Sequence, residues 1–245
     1  MRRRLFGMHL PTFLPTLLLM GACAHGAGAP AGTPAEPAPE TASETAPDEP
    51  WNYERHVAER SAEIAASPIE RGGVLFVGDS ITLGGGDWSA RFPGVAASNQ
   101  GIGGDRTEAL LGRMATITRG TPERVFLMIG TNDLSGGLTV EAVAEGAVAV
   151  ARGIRRGIPD AELYVQSVLP REAAMADAVE AVNARLAAAA DEAGYTYLDI
   201  HGAFDAGDGS LEASLTEDDL HLNEAGYARW SALIEPCVRR GCEGL

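Results

Sequence analysis

The chain contains no lysine: all 19 of its basic residues are arginines. That absence removes whole mechanisms. A Walker-type phosphate loop requires its lysine, a Schiff base requires an ε-amine, and a serine–lysine dyad requires a lysine base. Histidine is scarce too, with five residues, at positions 9, 25, 56, 201 and 221. The formal charge of −15 argues against a nucleic-acid partner, or an anionic membrane surface, recognised through a basic face. There are only three cysteines, and the C-x4-C pair among them has no neighbouring histidine to complete a metal site. Neither a metal nor any other cofactor is expected.

What is present reads as an ordinary globular composition, 45 % hydrophobic and 22 % charged, in a length that suits one α/β domain. The first residues, MRRRLFGMHLPTFLPTLLLMGAC, have the anatomy of an export signal. Arg2, Arg3 and Arg4 form a positive end, and the apolar stretch from about Leu10 to Met20 is too short to span a bilayer. Small residues then precede Cys23, a pattern that resembles a bacterial lipoprotein box. The resemblance implies a signal over residues 1–22, cleavage before Cys23 and lipidation of that cysteine. The protein would then be held by its lipid on the bacterial cell envelope; simple secretion is the alternative. Residues 24–50 run through Ala, Gly, Pro, Thr and Glu with almost no large apolar side chain, so 23–50 reads as a lipidated cysteine and a disordered tether. The folded domain spans 51–245. Near its end, Cys237 and Cys242 are close enough in sequence to form a disulfide in an exported protein, with a pair of free thiols as the alternative.

Within that domain five short, strand-like runs occur at 74–77, 95–99, 125–130, 163–168 and 195–200. Helical patterns precede them at 53–67, separate the later ones at 140–156 and 173–194, and follow them at 223–237. Strands alternating with helices imply βαβ units, a mainly parallel five-stranded sheet and a three-layer α/β/α sandwich. Open parallel sheets bind ligands outside the carboxyl ends of their strands. Ser80 follows the first run, Gly103 and Gly104 the second, and Asn132 the third, so these residues gather along one edge of the sheet.

A serine hydroxyl needs a base to accept its proton, and here the base must be histidine. Nothing in the sequence directs His25, in the tether, or His56, in the first helix, toward Ser80. His201 ends the fifth run and reads as a packing or capping residue. His221 has Asp218 three residues before it, a spacing at which a carboxylate folds back onto one ring nitrogen and leaves the other for the serine. Asp219 is an alternative partner whose closeness to His221 fits the turn less well. Asp79 reads as a residue of the turn at Ser80, Asp105 and Asp133 as caps of turns or helix starts, and Asn99 and Asn223 as structural, Asn223 capping the last helix.

The blocks GDSIT (78–82), NQGIGGD (99–105), GTND (130–133) and DDLHLN (218–223) stand in the order and context of the four blocks of SGNH/GDSL hydrolases. The resemblance covers roughly residues 72–235. GIGGD and GTND look especially like the branch of platelet-activating-factor acetylhydrolase-like esterases and bacterial carbohydrate acetylesterases. It implies a flavodoxin-like fold and a serine esterase, with Ser80 as nucleophile, His221 as base and then acid, and Asp218 orienting His221. The backbone N–H groups of Ser80 and Gly104 and the Asn132 amide would form the oxyanion hole. Short acyl groups, acetyl above all, on carbohydrate are the expected substrate. A lysophospholipase or thioesterase is the alternative, and a non-catalytic glycan-binding lipoprotein a further one. The loops at 83–94, 134–138 and 170–177 border the site, with Trp88 and Met175 as candidates to line an acyl pocket and Gly84, Gly85 and Gly86 as a mobile rim.

Overall fold

The five runs become the strands of one sheet in the computed structural model, which describes residues 52–242. The proposed signal, Cys23 and the tether lie outside the described residues. Helix α1 (Tyr53–Ala66) leads into β1 (Val74–Gly78), α2 (Ser80–Gly84), α3 (Trp88–Arg91) and β2 (Ala97–Gly101). Then come α4 (Thr107–Gly112), α5 (Met114–Ile117), β3 (Arg124–Met128), α6 (Thr131–Ser135) and α7 (Val140–Gly157). The chain continues through β4 (Glu162–Gln166), α8 (Ala176–Ala193), β5 (Thr196–Leu198) and α9 (Glu224–Arg240).

Every pairing between these strands is parallel, in the order β2-β1-β3-β4-β5. The chain progresses outward from β1 in both directions, so the crevice at the carboxyl ends of β1 and β3 is the place where such a sheet receives a ligand. Ser80 and Asn132 stand there, two and four residues beyond β1 and β3. The second strand lies at 97–101, two residues later than its sequence pattern indicates. Pairing with β1 sets this register, with Val74 opposite Ala97 and Gly78 opposite Gly101, while Val95 packs beside the core instead. Residues 173–175 form a 3-10 turn before α8, and α9 continues through Pro236 to Arg240.

Alternation along the central strands divides the core between the two faces of the sheet. Leu75, Val77, Val125 and Leu127 meet the apolar sides of α7 and α8, including Val143, Ala147, Ile154, Val179 and Leu186. Phe76, Phe126 and Tyr164 point the other way, toward Trp88, Phe92, Tyr227 and Trp230. The few aromatics are thus concentrated in one layer, where Phe76 stacks on Trp88 at 4.0 Å and Trp88 meets Trp230 edge-on at 5.0 Å. Of the two residues read as pocket-lining or packing, Trp88 is fully buried in this layer as a packing residue, and Met175, partly buried, packs against the opposite core cluster. The glycines after α2 are also not simply a loose rim. A Cβ on Gly84 would lie 2.2 Å from the Tyr227 hydroxyl, and one on Gly85 would lie 2.3 Å from the Trp88 ring. They let α2 and α3 approach the aromatic layer closely.

Candidate active site

Ser80 is half-buried as the first residue of α2, directly after β1. Asp79 caps that helix, accepting the Ile81 N–H at 2.9 Å, and is only 1 % exposed. Burial pushes its carboxyl up to about 7, with the nearby Asp105 carboxylate adding to the effect and hydrogen bonding and His221 opposing it. Asn99, on β2, holds α2 from below: its amide donates to the carbonyls of Thr82, Leu83 and Gly86 at 3.1, 3.1 and 2.9 Å. The structural reading of Asp79 and Asn99 agrees with this placement.

Opposite Ser80, residues 216–222 fold into a tight loop. Thr216 Oγ1 donates to the His221 carbonyl at 2.7 Å, and Asp218 Oδ1 accepts the Leu220 and His221 N–H groups at 3.1 and 2.7 Å. Asp219 sits at φ 59°, alone among the described non-glycine residues in the left-handed region, which aspartate tolerates better than most. Its role is conformational; Asp218 is the partner of the histidine. His221 Nδ1 lies 2.7 Å from Asp218 Oδ2, and His221 Nε2 lies 2.9 Å from Ser80 Oγ. Partial burial works to raise the Asp218 pKa, but the hydrogen bonds from the His221 ring and from two backbone N–H groups outweigh it and hold the carboxyl at about 2. A continuous carboxylate–imidazole–hydroxyl chain results, able to draw the proton off Ser80 Oγ.

α9 is tied to the serine side. Asn223 caps it, accepting the Gly226 N–H at 3.1 Å, and Tyr227 donates its hydroxyl to the Ile81 carbonyl at 2.8 Å. Arg91 donates to the Gly85 carbonyl and both Glu224 oxygens at 2.7, 3.0 and 3.0 Å, its guanidinium 4.8 Å from the Tyr227 ring centre. These contacts fix the histidine loop against α2.

On the other side, Gly104 adopts φ +81° after β2, a conformation that suits glycine. Asn132, on α6, donates one amide hydrogen to the Asp105 carbonyl at 2.9 Å. A primary amide has two, so the other remains for a ligand. Asp133 accepts the Thr107 N–H and hydroxyl, securing the start of α4. Asp105, read as a cap of a turn or helix start, instead turns its carboxylate to Arg113 at 2.9 Å, and Arg113 also donates to the Gln100 carbonyl at 2.7 Å. Burial nevertheless raises the Asp105 pKa, with Arg113 opposing. His201 turns Nδ1 to the Val168 carbonyl at 2.9 Å, in keeping with a packing role.

Sequence reasoning finds the helix α1 but misses its place at the site. Its residues Tyr53, His56 and Arg60 share one face and meet the loop that carries Gly104. Gly103 N–H donates to His56 Nε2 at 3.2 Å, and Arg60 donates to the carbonyls of Gly101 and Asn99 at 3.0 and 2.7 Å. Tyr53 packs on Gly104, where a Cβ would come 2.8 Å from its ring. A cavity of about 550 Å³ opens beside Gly104 and Asn132, bounded also by Tyr53, Arg106, Glu108, Ala109 and Ser135. The only advance signal is the i, i+3, i+7 spacing of 53, 56 and 60, which groups these residues without naming their target.

The model of the GDSL-like Lipase/Acylhydrolase family matches residues 76–229. The chain belongs to this family. It is a carboxylic ester hydrolase. Among curated proteins, it is 33 % identical over 165 residues to the platelet-activating factor acetylhydrolase IB subunit alpha2 of Rattus norvegicus, covering 64 % of this chain and 71 % of the relative. The Homo sapiens subunit is 32 % identical over the same shares. Among solved structures, a GDSL-like lipase from Bacteroides thetaiotaomicron superposes with a TM-score of 0.63 at 23 % identity, over 78 % of this chain and 98 % of that one. A variant of an acetyl-xylooligosaccharide esterase from a Geobacillus species gives 0.57 at 18 % identity, over 69 % and 97 %. These structures share the α/β fold of this hydrolase.

Away from the site, Cys237 and Cys242 are joined as a disulfide, and the Cys242 N–H donates to the Tyr164 hydroxyl at 3.0 Å. Among the described residues, no group of three His, Cys, Asp or Glu could hold a metal ion, and no helix is long and apolar enough to cross a membrane.

Proposed function

We propose that this hydrolase removes short acyl groups, acetyl above all, from carbohydrate through an acyl-enzyme on Ser80. The observation that carries the mechanism is the chain Asp218–His221–Ser80, with contacts of 2.7 and 2.9 Å. Ser80 Oγ attacks the ester carbonyl carbon while His221 Nε2 takes its proton. Asp218 holds the ring by Nδ1 and stabilises the imidazolium. The carbonyl oxygen becomes an oxyanion received by the N–H groups of Ser80 and Gly104 and the free amide hydrogen of Asn132. Collapse expels the alcohol oxygen, which takes the proton from His221. Water then attacks the acyl-serine, giving its proton to His221, and the acid leaves as Ser80 recovers its hydrogen.

The cavity beside Gly104 and Asn132 offers polar groups from Arg106, Glu108 and Ser135, yet more of its lining is apolar, so the acyl preference rests on the relatives. The names of the mammalian relatives and of the Geobacillus neighbour both specify acetyl groups, those of platelet-activating factor and of an acetyl-xylooligosaccharide. Release of acetate from acetylated xylooligosaccharides, at a higher kcat/KM than hydrolysis of long-chain p-nitrophenyl esters, supports this reading. A preference for the long-chain esters overturns it. Ser80→Ala that hydrolyses p-nitrophenyl acetate as fast as wild type overturns the nucleophile assignment.

We also propose that the enzyme works outside the cytoplasm, held to the cell envelope by a lipid on Cys23. The arginine-headed apolar leader and the small residues before Cys23 support this reading, and so does a disulfide of the kind that oxidising compartments favour. Labelled fatty acid should enter the wild-type protein in bacterial cells and not Cys23→Ala. Equal labelling of the two overturns the anchor.

A further inference from the structure

We propose that α1 is a working part of the active site and that His56 is a positioning residue for the oxyanion loop. The loop presents its N–H from Gly104, and the residue before it is also glycine. Two successive glycines have the widest backbone freedom of any dipeptide, so their conformation must be imposed by neighbours. From the matched family segment, the Ile102 N–H reaches the Gly78 carbonyl and the Asp105 N–H reaches the Ile102 carbonyl, both at 3.2 Å. The second bond closes a four-residue turn with Gly103 and Gly104 at its centre, and leaves the Gly103 N–H to be met from outside the turn. Those two residues are met by α1: His56 Nε2 accepts the Gly103 N–H at 3.2 Å, and the Tyr53 ring lies against Gly104. Arg60, one further turn along the same face, fastens the helix to the end of β2 through the Gly101 and Asn99 carbonyls.

α1 ends at Ala66, before the matched family segment begins at residue 76. The brace is therefore supplied by sequence outside that segment. Its effect belongs to the transition state. An oxyanion donor contributes only when its N–H already points at the place where charge develops, and a loop that samples other conformations loses that advantage while still admitting substrate. The His56 acceptor, one peptide unit before the Gly104 N–H, restricts that sampling.

The test compares His56→Leu with His56→Gln in the full chain, on p-nitrophenyl acetate. Both fill the space of the imidazole, and only glutamine offers an acceptor. We expect His56→Leu to lower kcat about ten-fold with KM within two-fold, short of the ~10²–10³ for complete loss of a donor. Inhibition by phenylboronic acid, whose serine adduct places an oxygen in the hole, should weaken about ten-fold in parallel. His56→Gln should recover most of both. Equal losses in the two variants, an unchanged kcat in His56→Leu, or a loss confined to KM with boronate inhibition intact overturns the proposal. His56→Ala gives the same comparison if the leucine variant does not fold. The proposal rests on the Ser80 esterase mechanism, and the two fail separately. If Ser80→Ala is inactive while His56→Leu is fully active, the brace alone falls; if Ser80→Ala retains activity, the mechanism falls.

Discussion

Asp79, next to the nucleophile, makes the stability of the fold depend on pH in a direction opposite to the usual carboxylate. Its carboxyl is 1 % exposed and pushed up to about 7 from an ordinary 3.8. A group whose pKa is raised on folding contributes stability below its unfolded pKa and loses it as pH rises through the folded one. Between pH 5 and pH 8 the unfolded chain holds Asp79 ionised, while the folded protein must give up nearly a whole proton. At ~1.4 kcal/mol per pH unit, over the roughly two units from 5 to 7, the loss is about 2–3 kcal/mol. Asp79→Asn keeps the acceptor that caps Ile81 N–H and removes the charge. Its stability relative to wild type should therefore improve by about 2–3 kcal/mol from pH 5 to pH 8. Urea unfolding of both proteins at the two pH values measures this directly, through the midpoint and slope. A relative change below ~1 kcal/mol, or one favouring the wild type at pH 8, refutes the reasoning.

Asn132→Ala should lower kcat by ~10²–10³ with little change in KM, because the amide hydrogen is used in the transition state; a loss carried by KM contradicts this. With Asp218 held at about 2, its carboxylate stays charged down to about pH 4, so Asp218→Asn should lower kcat/KM by a constant factor between pH 4 and pH 8; a factor that vanishes above pH 4 contradicts the assignment. Replacing Cys237 and Cys242 by serine opens a loop of sequence separation 5 and should cost ~2 kcal/mol, read as a lower urea midpoint with unchanged kcat. Prolonged EDTA treatment should leave activity intact, and a loss restored by a divalent metal contradicts a purely serine–histidine mechanism.

How much of this was legible in sequence depended on whether an interaction is local. Asp218 and His221 are three residues apart, a spacing at which a turn brings a carboxylate onto the ring. Once the run at 74–77 is a strand, alternation puts Leu75 and Val77 on one face and Phe76 on the other, as the two core layers show. Spacing says nothing of φ and so leaves Asp219 as a rival to Asp218; the fold puts Asp219 in a left-handed turn and Asp218 on the imidazole. The misreadings concern side-chain contacts that spacing does not specify, whether near in sequence or far. Gly84 and Gly85 look like a loose loop until Tyr227 and Trp88, brought from α9 and α3, are seen to occupy the space a side chain would need. Trp88 looks like a pocket residue because it follows the nucleophile by eight positions, yet Phe76 and Trp230 draw it into the core. Asp105 sits where a cap would, and Arg113, eight residues on, claims it instead. His56 is the most consequential of these cases. Helical periodicity puts it on one face with Tyr53 and Arg60, but only the packing of that face against Gly103 and Gly104 makes it part of the chemistry. The catalytic side chains come from motifs that carry their own geometry, whereas the backbone donor beside them depends on a helix whose relevance exists only in three dimensions.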